Sequence, residues 1–176
     1  LVPILNSIPS LVEDVNITMG LPLKQIPFSA FIDQWFQLHK EKSKQYYYQD
    51  VIGVLSHQFV RPLFQTQNQD AAQIIISTIK YQNLINLSKD QIIALAPDYK
   101  ENLELLFDSW SDRPKNAIKR VLELIFKLKD YYNKSKNKHL LSLEYLYRFS
   151  EIFNQLQNLN TTYNYITNIK VLKSIY

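Results

Sequence analysis

The stretch 114–132, PKNAIKRVLELIFKLKDYY, decides the fold. Ile118, Val121, Leu122, Ile125, Leu128 and Tyr132 recur at helical spacing and make one apolar stripe. On the opposite face Lys119, Glu123, Lys127, Asp130 and Lys134 alternate in sign, the pattern of a solvated helix laced with ion pairs. Pro114, preceded by Ser111 and Asp112, suits a first helical turn, where its missing N–H costs nothing. A long amphipathic helix from Pro114 to near Tyr132 follows, and its stripe requires other helices to cover it.

The rest of the chain supplies them. Two glycines, Gly20 and Gly53, serve 176 residues, and there is no cysteine. Glycine is what lets backbone turn through positive φ or press against a phosphate, so this chain has little means of building a site from backbone. The lack of cysteine removes disulfides, thiolate metal sites and cysteine nucleophiles, and fits a reducing, intracellular compartment such as cytoplasm or an organelle matrix. Hydrophobic residues make up 46% and aromatics 13%, a composition that builds a core. A single domain of this length buries about 70% of its extended-chain surface. No run is apolar enough to span a membrane as a helix. The chain begins at Leu1 rather than Met, which reads as a processed or trimmed terminus from which a targeting segment can have been removed.

Read in order, residues 1–9 hold Pro3 and Pro9 and form an extended arm. Ser10 caps a short helix to Thr18, Gly20 stops it, and residues 21–27 form an apolar linker. A helix begins near Ser29 with Phe31, Ile32, Trp35, Phe36 and Leu38 inward, and Lys40, Lys42 and Lys44 favour its C-terminal end. Val51, Ile52, Leu55 and Phe59 define the next, ending before Pro62, and Gly53 marks a close helix contact. Asn68 or Asp70 opens a helix carrying Ala71, Ala72, Ile75, Ile76 and Ile79. Ser88 with Gln91, and Asp98 with Glu101, form two capping boxes. The second leads into Leu103, Leu105, Leu106, Phe107 and Trp110. Residues 133–139 are a basic linker, 140–159 a further helix, and Thr161 or Thr162 caps a last one to Tyr176. No alternating strand is convincing. The expected fold is therefore all-α, a single helical bundle of about seven helices with an extended N-terminal arm.

Candidate sites are few. The excess charge of +4 lies wholly in residues 101–176, with twelve Lys/Arg against eight Asp/Glu, while residues 1–100 carry eight of each. Within that part only Lys134, Lys136, Lys138 and His139 form an uninterrupted basic run, a candidate contact for phosphate or RNA. Tyr46, Tyr47 and Tyr48, read as helical, cover about 200° of a helix surface, so one at least faces outward. With Tyr163 and Tyr165 they are candidate anchors of a protein interface. His39, His57 and His139 are scattered and make no metal-ligand spacing. The pairs Glu13 and Asp14, Asp108 and Asp112, and Glu101 and Glu104 read as caps and dipole partners rather than acid–base pairs. Asn16, Asn86 and Asn160 match the glycosylation pattern as chance requires of an Asn-rich chain. Leu146-Tyr147-Arg148 reproduces the tripeptide of the mitochondrial LYR-motif proteins, but late in the chain, and core spacing with Phe149 and Phe153 accounts for it.

These residues point to a non-catalytic interaction or accessory subunit of a larger protein assembly, with other protein subunits as partners and no cofactor or metal. The alternative is a nucleic-acid-associated, ribonucleoprotein role. A second alternative is a helical pocket for an apolar ligand lined by Trp35, Phe36, Phe107 or Trp110.

Overall fold

A computed structural model describes residues 23–39, 45–66, 69–134 and 139–175. Among them are eight α-helices: α1 (Pro27–Leu38), α2 (Tyr48–Ser56), α3 (Ala71–Tyr81), α4 (Lys89–Leu95), α5 (Lys100–Phe107), α6 (Pro114–Asn133), α7 (Leu140–Tyr163) and α8 (Ile169–Ile175). Two short strands, β1 (Gln45–Tyr47) before α2 and β2 (Asn86–Ser88) before α4, pair with each other. The fold is predominantly all-α, as the sequence predicts. The arm 1–9, the helix from Ser10 to Thr18, Gly20, Lys40, Lys42, Lys44 and Asn68 lie outside the described residues, as do Lys136, Lys138 and Tyr176.

One hydrophobic cluster draws residues from every one of these helices and from both strands. α6 is its longest contributor from the middle of the chain, starting at Pro114 and burying Ala117, Ile118, Val121, Leu124, Ile125, Leu128 and Tyr132. The stripe is turned slightly from the one expected. Leu122 is only half-buried at its border, while Leu124 is fully buried. The helix is covered from two sides, by α5 and most extensively by α7, so its inward face is broader than one row. Its polar face carries the expected ion pairs: Lys119 with Glu123 (3.7 Å), Lys134 with Asp130 (3.9 Å), and Lys127 with Glu101 of α5 (3.7 Å).

Caps and prolines set several of the boundaries. α1 starts two residues before Ser29, because Pro27 takes the first turn. Gly53 of α2 sits so close to α1 that a Cβ there would run into the Gln34 amide. The Asp70 carboxylate accepts from the Gln73 amide (3.0 Å) and opens α3. The Ser88 capping box is complete: Gln91 N donates to Ser88 Oγ (3.2 Å) and Ser88 N to Gln91 Oε1 (2.8 Å).

Three expectations need correcting. Asp98 does not cap α5; Pro97–Tyr99 already form a 3-10 turn, and Tyr99 precedes the helix without a side-chain cap. Thr161 and Thr162 do not open the last helix, for both lie inside α7, where the Thr161 hydroxyl donates to Gln157 O (2.8 Å). α7 instead ends at Asn164, held at φ 52°, and Asn168 caps α8 by accepting from Val171 N (3.0 Å). Finally, Tyr46 and Tyr47 are not helical. They lie in an antiparallel ribbon in which Tyr46 opposes Leu87 and Tyr47 opposes Asn86. Three residues are too few to show alternation, and the partner strand is distant in sequence. Among the described residues no helix is long and apolar enough to cross a membrane.

Candidate functional site

The end of α5 explains where the aromatics go. A helix leaves its last carbonyls without partners, and here they are buried. Three side chains reach across to them. Trp35 Nε1 donates to Leu106 O (2.8 Å), His39 Nε2 lies 2.8 Å from the same oxygen, and the Tyr46 hydroxyl donates to Phe107 O. A carbonyl only accepts, so His39 carries its proton on Nε2. Its ring stacks on Trp110 (centroids 4.1 Å apart, 23° between planes), and Trp110 in turn meets Trp35 and Phe36 edge-on, each at 5.2 Å. Trp35, Phe36, Phe107 and Trp110 are all fully buried. They fill this part of the core ring against ring. Trp110 Nε1 is buried with no acceptor among the described residues.

Burial sets the chemistry of this cluster. It lowers the His39 pKa to about 4 against the raising effect of the Leu106 carbonyl and of Asp108. It also pushes the Tyr46 phenol up to about 12. At neutral pH both groups are uncharged, and both are engaged in closing a helix. Where the cluster meets solvent, Asp108 accepts from Lys89 (3.0 Å) and Arg120 (2.6 Å), and Arg120 also bonds Glu123 (3.1 Å). The carboxylate of Asp108 raises the Lys89 pKa. His57 stacks on Phe59 (5.9 Å, 17°), and burial lowers its pKa too.

The candidate interface tyrosines thus separate. Tyr46 belongs to the core. Strand alternation turns Tyr47 outward, 43% exposed, and Tyr48 is half-buried at the start of α2. Their rings lie 4.8 Å apart and border a groove of about 550 Å³ completed by Ile79, Lys80, Asn83, Leu84 and Ile85. Ile85 is 61% exposed, and its carbonyl accepts from Tyr48 N (2.9 Å), which extends the ribbon by one bond. Sequence reasoning missed Leu84 and Ile85, since only the pairing of β2 brings them to Tyr47. Tyr163 and Tyr165 are exposed elsewhere, at the end of α7, with parallel rings 5.3 Å apart.

Only two of the four basic candidates lie within the described residues. Lys134 pairs with Asp130 at the end of α6, His139 lies against Tyr132 (4.7 Å), and Lys136 and Lys138 fall outside the described residues. Of the carboxylate pairs, Asp108 holds Lys89 and Arg120, Asp112 accepts from Ile169 N (3.4 Å), Glu101 pairs with Lys127, and Glu104 with Lys100 (3.8 Å). Among the described residues no group of three His, Asp or Glu is placed to hold a metal ion. No known protein family, curated protein or solved structure matches the chain.

Proposed function

We propose that the chain is a non-catalytic helical subunit that binds another protein through the groove framed by Tyr47, Tyr48 and Ile85. The observation that carries this reading is the outward apolar surface at the ribbon: Tyr47 and Ile85 stand in solvent side by side over a groove, beside strands that have no further partner among the described residues. Tyrosine gives a large contact area with a hydroxyl that tolerates water, which is why it anchors interfaces. An exposed strand edge adds backbone donors and acceptors that an extended segment can pair with. The occupant that fits is an extended, apolar stretch of a partner protein.

The test compares native pull-downs by the wild-type chain and by Ile85→Asp, read by mass spectrometry. Circular dichroism should show both equally folded, since Ile85 is an exposed position. A partner held by the wild type and lost with Ile85→Asp supports the reading. Partners captured equally by both, or none captured by either, overturn it.

A further inference from the structure

We propose that the cleft between the start of α6 and the end of α7 binds single-stranded nucleic acid. The cleft measures about 520 Å³, and Ile118 and Ile166, both buried, form its apolar floor. Arg113 and Lys115 line one wall and Asn160, Thr161, Asn164 and Thr167 the other.

Its two cations have no carboxylate partner among the described residues. Ion pairs elsewhere engage Arg61, Lys89, Lys100, Lys119, Arg120, Lys127, Lys134, Arg148 and Lys173. Among the described residues no carboxylate pairs with Arg113 or Lys115, and none lines the cleft. The neighbouring Asp112 is turned to the Ile169 amide. Beyond Glu151 the chain has no acidic side chain, while Lys170 adds positive charge. A wall of one sign with nothing to neutralise it attracts polyanions.

The polar wall is preset to read planar groups. Asn160 Oδ1 accepts from Ile166 N (3.1 Å), so its Nδ2 hydrogens are the free, donating end. The Thr161 hydroxyl donates to Gln157 O and keeps its lone pairs as acceptors. Donor and acceptor side by side match the edge of a base. Asn164, a cleft residue, is flanked in sequence by Tyr163 and Tyr165, whose stacked rings are 57% and 72% exposed and inclined by only 7°. The rings do not line the cleft themselves but adjoin it through Asn164, and exposed rings together with unpaired cations are the elements with which proteins hold single strands without fixed sequence preference. A free phosphate would use the cations alone. An acidic peptide would leave the ring faces and amides without a match.

This site shares no residue with the Tyr47 groove, so the two proposals stand or fall separately. The test is fluorescence anisotropy of the full chain with a labelled polypyrimidine RNA of about ten nucleotides, at salt from about 50 to about 200 mM. Wild type should bind with an affinity that falls as salt rises. Arg113→Gln with Lys115→Gln should weaken binding about tenfold at low salt and reduce the log–log slope by about 1.4, two single-strand phosphate contacts. Lys24→Gln with Lys100→Gln removes the same charge elsewhere and should change little. Tyr163→Ala with Tyr165→Ala should weaken binding about tenfold without altering the slope, and Phe at both positions should restore it, because a ring stacks without its hydroxyl. All six substituted sites are exposed, so folding should survive. Absence of binding, a flat salt response, an unaffected Gln pair, or displacement by polyglutamate as readily as by unlabelled RNA would each overturn the proposal.

Discussion

Around the end of α5, Trp35, His39 and Tyr46 turn inward and meet the oxygens of Leu106 and Phe107; at the end of α7, Tyr163 and Tyr165 stack on each other in solvent. Both are helix C-termini with carbonyls to satisfy. The difference lies in how each is closed. α7 closes on itself: Asn164 adopts the left-handed conformation and donates its N–H to Asn160 O (3.0 Å), and the Asn160 side chain takes the Ile166 amide. α5 ends in the core, where water cannot reach, so its oxygens need donors from outside the helix. Aromatic side chains with polar tips can deliver a donor and fill volume at once. Where the backbone finishes its own helix, rings are released for the surface. Aromatic density therefore says little about binding until the helix ends are known.

The largest effect that would break this comparison is at Trp35. Trp35→Ala removes a fully buried ring and one donor to Leu106, and should cost about 3–5 kcal/mol in denaturant unfolding. A loss below about 1 kcal/mol would mean the α5 end does not depend on its rings. Next comes pH. An unfolded chain protonates His39 near pH 6.5, whereas the folded protein holds the proton off until about pH 4. Between those values the unfolded state binds more protons, so stability falls as pH drops through that window and is constant above it. The full difference amounts to about 3 kcal/mol. His57, also lowered, acts in the same direction. His39→Gln should flatten the slope between pH 6.5 and 4; an unchanged slope would remove His39 as its source.

The sequence carried much of the fold because its strongest signals are local. Pro114, the Ser88–Gln91 box and the Asp70 cap each lie within one or a few turns and sit where expected, and the α6 stripe is there but slightly turned. What was illegible depends on distance. Tyr46 finds Leu87 and Phe107 only after the chain has folded, and three residues of strand leave no readable alternation. Leu122 and Leu124 differ by which neighbouring helices cover α6, and no single helix encodes that. The candidate surfaces have the same limit. Tyr47 and Tyr163 were readable as aromatics, but Ile85 beside the first and Arg113 beside the α7 end are brought there by tertiary structure.

Two smaller effects sharpen the contrast between inward and outward rings. Tyr46→Phe keeps the ring and leaves Phe107 O without its donor, so it should cost about 1 kcal/mol or somewhat more. Tyr47→Phe, one residue along the same strand and facing solvent, should stay within about 0.5 kcal/mol. Equal costs would mean the ribbon is out of register, because a shift of one residue exchanges the two faces. Smallest of all should be Tyr163→Ala and Tyr165→Ala, each within about 0.5 kcal/mol in the same unfolding measurement. Asn164 and Asn160 close α7 through backbone and amide groups that these substitutions leave in place. If either cost more than about 1 kcal/mol, the rings would be supporting the α7 end as Trp35 supports that of α5, and their exposure would no longer argue for a ligand.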